Sequence, residues 1–454
     1  MNKRILGLAL PNIVTNITVP LLGMVDMAIV GHLSAAHIGA ITIGASIFNL
    51  IYWNFGFLRM GTSGFTAQAY GAQRWDEALN TLIRACAIAL AIALALIALQ
   101  WPISLLMPVI FESGSEVMQM ALTYFFIRIW AAPATLGLYA IKGWFIGMQD
   151  SKTPMWIAIA LNCVNILASL LFVLVLHWDI AGVALGTVIA QYSGLALGIL
   201  FLHRKMRNDR NLSIFNFQFS IIKDALRWQD MRRFFKVNTD IFLRTVCLSA
   251  VFTFITAASG RISDEVLAVD ALLLQFFTLF SYIMDGFAYA GESLVGRYIG
   301  ARDPHNLRLS VRLLLLWGFA LTALFTLLYA LFGDAFLHLF TDNQAIIDAT
   351  GRYLFWVLVI PVCGFAAFLL DGIFIGATAS RTMRNAMFIA TAAFFTLYFG
   401  LKALLIFNSQ LSTSNWNHTL WTAFMAYLLL RGLLQGLRVR KDIYGQTMCN
   451  DLEQ

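Results

Sequence analysis

The stretch Phe145-Ile-Gly-Met-Gln-Asp-Ser-Lys-Thr153 returns 229 residues later as Phe374-Ile-Gly-Ala-Thr-Ala-Ser-Arg-Thr382. At the same offset Gly31-His-Leu-Ser34 faces Gly260-Arg-Ile-Ser263, Gly71-Ala72 faces Gly300-Ala301, and Tyr124 with Phe126 faces Tyr353 with Phe355. Pro133 faces Pro361 after a gap of one residue. A single match among small and apolar residues carries little weight. A shared offset along the whole chain reads as an internal duplication.

What is duplicated follows from composition. The 454 residues are 60% apolar and 12% charged, against roughly 45–50% and 25% in a soluble domain. Apolar runs long enough to cross a bilayer lie at about 9–33, 39–63, 82–107, 117–141, 154–177, 180–202, 236–259, 266–292, 312–333, 350–377, 385–407 and 418–437. They are continuous Leu, Ile, Ala and Phe runs, not alternating strands, so a β-barrel is excluded. The first run is too long for a signal peptide and has no small-residue cleavage site, so it reads as a span. Alternate connections differ sharply in basic residues: the odd-numbered ones hold Arg261 alone, and the even-numbered ones hold seventeen, nine of them within 203–236. That bias places the even connections and both termini in the cytoplasm. The formal net charge of +7 therefore serves membrane orientation, and no nucleic-acid partner is expected.

The repeat offset covers six spans, an even number, so the two halves share one orientation. The expected fold is an all-α polytopic membrane protein with 12 transmembrane helices in two parallel-repeat six-helix lobes. Residues 1–203 form the N-terminal lobe, 204–235 a cytoplasmic linker, and 236–454 the C-terminal lobe with a short cytoplasmic tail. The linker reads as an amphipathic segment on anionic lipid, with Phe215, Phe217, Phe219, Ile221 and Ile222 toward the bilayer.

Two repeated lobes create one interface, and a substrate pathway between lobes that rock is its usual use. Pro20, Pro133 and Pro361 lie within spans and are candidate hinges, because each lacks an N–H and crowds the preceding turn. Charges inside spans are sharper evidence, since each costs at least about 2.5–3.5 kcal/mol at mid-bilayer. Asp26 sits in Leu21-Leu-Gly-Met-Val-Asp26-Met-Ala-Ile-Val30 with no basic neighbour one turn away. A carboxyl group so placed exchanges its proton near neutral pH, as a proton-coupled carrier requires. Lys142 either snorkels to the cytoplasmic face or turns inward to pair with Asp26, and Arg59 and Arg128 read as anchors near span ends. In the second half Asp240 and Arg244, four residues apart, are expected to neutralise each other. Asp285 and Asp371 lie deeper, as a second titrating group, a cation-attracting wall or structural partners.

Other classes fit less well. The seven histidines are scattered, and the cysteines Cys86, Cys163, Cys247 and Cys363 lie in apolar runs without CxxC spacing. Neither a metal site, a disulfide framework nor an embedded enzyme is therefore expected. A lipid-linked oligosaccharide flippase would need more basic cavity residues than Lys142 and Arg244.

Pro11-Asn-Ile-Val-Thr-Asn-Ile-Thr-Val-Pro20-Leu-Leu-Gly-Met-Val-Asp26 and Leu58-Arg59-Met-Gly-Thr-Ser-Gly-Phe-Thr-Ala-Gln68-Ala-Tyr-Gly-Ala72 resemble the multidrug and toxic compound extrusion (MATE) transporters. So do Asp240-Ile-Phe-Leu-Arg244, Asp285-Gly-Phe-Ala-Tyr-Ala290, Gly300-Ala-Arg-Asp303 and Leu370-Asp-Gly-Ile-Phe-Ile-Gly-Ala377, and the likeness is nearest to the DinF branch. The resemblance implies a V-shaped pair of lobes that acts as a monomer in the bacterial inner membrane. It also implies export of small organic, often cationic, molecules in exchange for H⁺ or Na⁺, with no other cofactor. Asp26 matches the coupling aspartate of that branch, and Asn165 and Thr187 match its polar surroundings. The second acid of the relatives is replaced here by Ser169. That departure favours H⁺ over Na⁺, with Asp26 alone as the switch.

Overall fold

The computed structural model describes residues 1–31, 34–111, 113–208, 225–407 and 412–448. Within these, the side chains of Val19, Leu21, Leu22, Val25, Met27, Ala28, Val30, Gly31, Ala35, Thr413 and Met448 are not described. The middle of the Gly31–Ser34 repeat match and the apolar linker residues 215–222 lie outside the described residues.

The apolar runs fold as helices because a bilayer offers no partner for an open backbone N–H or C=O. In chain order the main helices are α1 (Asn2–Gly31), α2 (Ala35–Asn54), α3 (Phe57–Gly71), α4 (Trp75–Ala98), α5 (Gln100–Ile110), α6 (Ser115–Arg128), α7 (Ala132–Gly147), α8 (Lys152–Leu170) and α9 (Asp179–Asn208). They continue as α10 (Trp228–Ile262), α11 (Asp264–Gly300), α12 (Pro304–Phe340), α13 (Gln344–Gly351), α14 (Leu354–Gly376), α15 (Ser380–Phe407) and α16 (Thr413–Gly436). Ten helical segments are long and apolar enough to cross a membrane, and Ser414–Gly436 with Val439–Thr447 forms an eleventh, bent by 40°. With α1, whose 30 residues reach about 45 Å, each expected span lies mostly on helix among the described residues. Several run well past their apolar core: α10, α11 and α12 have 35, 37 and 37 residues. Charged residues end an apolar run without ending a helix, which is why the sequence made these elements too short.

Of the three candidate hinges, Pro133 follows a one-turn 3-10 segment, Ile129–Ala131, at the start of α7. Pro20 and Pro361 lie inside continuous α1 and α14.

The chain divides into two units. One comprises Leu10–Asn238; the other comprises Met1–Ala9 together with Thr239–Gln454. The divisions at 9/10 and 238/239 are themselves 229 residues apart. Thus α1 gives its first turns to the second unit, where Arg4 Nη1 donates to Tyr298 Oη at 3.2 Å. Likewise α10 gives its first turns to the first unit, where Phe234 packs on Phe65 with ring centroids 5.5 Å apart.

Each unit repeats the other's internal packing. In the first, α7 crosses α3 so closely that a Cβ on Gly143 would fall on the carbonyl oxygen of Arg59, and one on Gly147 would lie 2.6 Å from Thr66 Cβ. In the second, α14 crosses α11 in the same way. A Cβ on Gly372 would fall on the carbonyl oxygen of Ala288, and one on Gly376 would lie 2.5 Å from that of Glu292. These are small-xxx-small contacts, in which bare backbone lets helices approach. The helices also stop alike. Gln73, Gln149, Arg302 and Thr378 all take positive φ, at 56°, 63°, 53° and 52°. After each, the next backbone N–H reaches back five residues: Arg74 to Ala69, Asp150 to Phe145, Asp303 to Tyr298 and Ala379 to Phe374. This is the Schellman stop, formed twice per unit at the repeat offset.

Candidate functional site

In the first unit one face of α8 carries Asn162, Asn165 and Ser169, spaced three and four residues apart as a helical face requires. Asn162 Nδ2 donates to the Thr18 carbonyl of α1 at 2.9 Å, between the two prolines of that helix. Two turns further along, Ser169 Oγ lies 3.4 Å from Asp26 Oδ1, a long contact. Asn165 Nδ2 donates to Thr187 Oγ1 of α9 at 3.1 Å, and Thr187 donates in turn to the Val183 carbonyl at 3.1 Å. Asn165 Oδ1 is buried and, among the described residues, accepts no hydrogen bond. Helix α9 comes this close because position 186 is glycine: a Cβ there would lie 2.8 Å from Ser169 Oγ. Asp26, Asn165, Ser169 and Thr187 are all buried, Asp26 being 5% exposed.

The structure therefore brings together the four polar residues singled out around α1. It treats the two cations differently from the sequence reading. The cation whose field reaches Asp26 is Arg128 of α6. It is no simple anchor, for its guanidinium lies over Phe48 at 4.9 Å and over Tyr124 at 5.3 Å, and it donates to Tyr124 Oη. Lys142 is half-buried and, among the described residues, makes no hydrogen bond or ion pair, with Asp26 or otherwise.

In the second unit the buried charges are matched across helices. Asp371 Oδ2 accepts from Arg244 Nη1 at 2.6 Å and from Arg431 Nη2 at 2.7 Å, and Oδ1 accepts from Gln435 Nε2 at 2.7 Å. All four residues are buried. Asp240 instead binds Arg384 Nη1 at 2.5 Å and Ser380 Oγ at 2.8 Å. The local Asp240–Arg244 pairing expected from spacing is thus replaced by partners on α15 for Asp240 and on α14 for Arg244. Asp285 is half-buried on α11. Lys142 and Asp371 are 229 residues apart, so the repeat places opposite charges at one address.

Sequence reading missed three charged residues with structural weight. Arg84 of α4, 3% exposed, donates Nε to the Ala225 carbonyl at 2.7 Å and pairs with Glu77 at 2.7 Å and Asp230 at 3.4 Å. Arg431 sits in an apolar run, Leu428-Leu-Leu-Arg431-Gly-Leu-Leu-Gln435, which was the available signal. Asp270 of α11 is 1% exposed, and its signal was similar: Val266-Leu-Ala-Val-Asp270-Ala-Leu-Leu-Leu. Among the described residues no group of His, Cys, Asp and Glu could hold a metal ion.

Known proteins share this fold. The MatE family model matches residues 11–171 and again 241–401, one match per repeat. The chain is 37% identical over 435 residues to DNA damage-inducible protein F of Escherichia coli (strain K12), covering 95% of this chain and 90% of that protein. It is 24% identical over 352 residues to human multidrug and toxin extrusion protein 1, covering 77% of this chain and 60% of that one. Among solved structures, a MATE protein in the bent conformation superposes with a TM-score of 0.82 at 18% identity, over 98% of this chain and 97% of that one. An outward-facing multidrug resistance MATE family transporter superposes with a TM-score of 0.81 at 19% identity, over 97% and 96%.

Proposed function

The chain belongs to the MatE family, whose members are multi-pass membrane transporters and not enzymes, and from that premise we propose that it exports organic, mainly cationic, compounds in exchange for H⁺. Asp26 is the protonation switch. The observation that carries this reading is the chemistry around that carboxyl group: Ser169 Oγ at 3.4 Å stands where a second acid would be needed for a metal ion. A Na⁺ ion asks for several oxygen ligands, whereas a proton asks for one acceptor. Asn165 Oδ1, buried without a donor one helical turn from Ser169, is an acceptor available to an added proton. Proton uptake would remove the charge that Arg128 faces and rearrange the Asn165–Thr187 contact. Helix α1, held to α8 through Thr18 and Asn162, would shift, and substrate would leave on the outer side. The two lobes would then alternate access as they rock, about Pro20, Pro133 and Pro361. We place the protein in the bacterial inner membrane with both termini cytoplasmic, in keeping with seventeen basic residues against one across alternate connections.

The test is export of a fluorescent organic cation from proteoliposomes under an imposed pH gradient or an imposed Na⁺ gradient. Wild type responds to the pH gradient, and Asp26→Asn loses that response. Ser169→Asp supplies the second carboxylate and adds Na⁺ sensitivity. Proton-driven export that survives Asp26→Asn would overturn the switch, and export that follows Na⁺ alone in wild type would establish the Na⁺-coupled alternative.

A further inference from the structure

The second unit holds a buried acid that the scheme above leaves unused. Asp270 Oδ2 accepts from Ser259 Oγ at 2.5 Å, and Oδ1 accepts from Asn417 Nδ2 at 2.9 Å and Trp421 Nε1 at 2.7 Å. Every one of these donors is neutral. Asp240 and Asp371 are each matched by guanidinium groups, but among the described residues no cation pairs with Asp270. A buried carboxylate without a countercharge is expensive even when hydrogen-bonded. A carboxylate also offers about four lone-pair sites; three donors occupy three of them, with Oδ2 taking only one.

Asp270 also lines an open-sided space, with Thr256 and Gln275 exposed at its rim. A cavity of about 220 Å³ between α10 and α11 is lined by Asp270, Thr256, Ser259, Gln275, Leu267 and Leu274, among others. It has room for about seven waters, far more than a bare ion needs and less than a drug-sized pocket. Its polar groups are hydroxyls and an amide, its other wall is aliphatic, and its one charge is negative. Asp264 and Glu265 open α11 two turns away and add to the negative field. An alkylammonium group satisfies all of this: the –NH₃⁺ supplies the missing charge and donates to Asp270 Oδ2 and to the hydroxyl and amide oxygens, and the hydrocarbon stem covers Leu267 and Leu274.

We propose that Asp270 and this cavity form a binding site for an alkylammonium group, built wholly within the second unit and separate from Asp26. The site deepens the reading of the protein as an exporter of organic cations, and two sources carry that chemistry: a free amine, or the aminoethyl headgroup of a phospholipid.

The experiment uses the full chain in phosphatidylglycerol nanodiscs, which contain no amine lipid, with 2-phenylethylammonium as probe and 2-phenylethanol as its neutral counterpart. Ligand-observed NMR follows binding. The ammonium binds saturably and the alcohol does not. Asp270→Asn weakens the ammonium by about 10–100-fold, the loss of a charged hydrogen bond. Ala271→Trp, which fills the cavity and leaves the carboxylate, blocks it as well. Exchanging the lipid for phosphatidylethanolamine assigns the source: competition with the probe places the headgroup in the site, and unchanged binding leaves it to free amines. Binding that is indifferent to both Asp270→Asn and Ala271→Trp, or abolished by Asp26→Asn alone, overturns the proposal. Dye export by the same protein reconstituted into proteoliposomes keeps the two readings apart: wild type that exports without binding the probe refutes this site only, and wild type that binds without exporting refutes the function only.

Discussion

Asp371 is held by two arginines and a glutamine, all buried, and this cluster sets what a single substitution does. Removing the charge by Asp371→Asn leaves the Arg244 and Arg431 guanidinium groups buried without their anion. Breaking a buried pair from one side costs about 3–5 kcal/mol, so the denaturation midpoint in detergent should fall sharply. The double variant Asp371→Leu with Arg431→Met removes both ends of one pair and should recover part of that loss. If Asp371→Asn unfolds at the wild-type midpoint, the cluster is not structural and Asp371 becomes free for a transport role. The same residues show what was legible in sequence. An Asp inside Phe368-Leu-Leu-Asp371-Gly-Ile-Phe374 declares that a charge is buried. It does not say which helix supplies the partner, because that choice is tertiary. Asp240 and Arg244 illustrate the failure: four residues apart they satisfy the rule for neighbours on one helix, yet Asp240 pairs with Arg384 and Arg244 with Asp371. Asp26 fared better because the resemblance, and not its own surroundings, named Asn165, Ser169 and Thr187.

At the scale of elements, the helix stops and starts were half legible. The recurring Gly-Ala and Phe-Ile-Gly motifs mark the ends of α3, α11, α7 and α14. The left-handed residue that follows each was hidden, since Gln73, Gln149, Arg302 and Thr378 are none of them glycine. Helix starts differ between repeats. Asp303 caps α12 by accepting from the Asn306 backbone N–H at 3.0 Å and side-chain amide at 2.6 Å. Its repeat counterpart Arg74 makes no side-chain cap for α4. These hydrogen bonds hold the Asp303 carboxyl below the usual carboxylate range, in a connection outside the spans. A carboxyl group lowered on folding stabilises the fold above its unfolded pKa, and that contribution fades as pH falls through the folded value. Asp303→Ala should therefore lower the denaturation midpoint at pH 7 and lower it less at pH 3, below the unfolded carboxyl value of about 3.9. An equal loss at both pH values would mean the cap acts without its charge.

At the scale of the whole chain the repeat was the most legible feature, and the boundary between its halves the least. Composition and charge bias place a division in the stretch 203–236, which holds nine of the seventeen basic residues of the even-numbered connections. The structure places it inside two helices, at 9/10 and 238/239. Apolar periodicity could not show this, because a helix that leaves one unit and enters the other keeps the same sequence character throughout. The consequence reaches biogenesis. A polypeptide severed within 209–224 would give two fragments, each carrying away the opening turns that complete its counterpart, as in a swap of arms between partners. Made separately, each should aggregate or be degraded. Made together, they should co-purify as one species on size exclusion, and fragments that mature independently would contradict the division. Neither half of this protein owns a whole first helix, so the ancestral unit, if it ever worked alone, needed a second copy to lend it one.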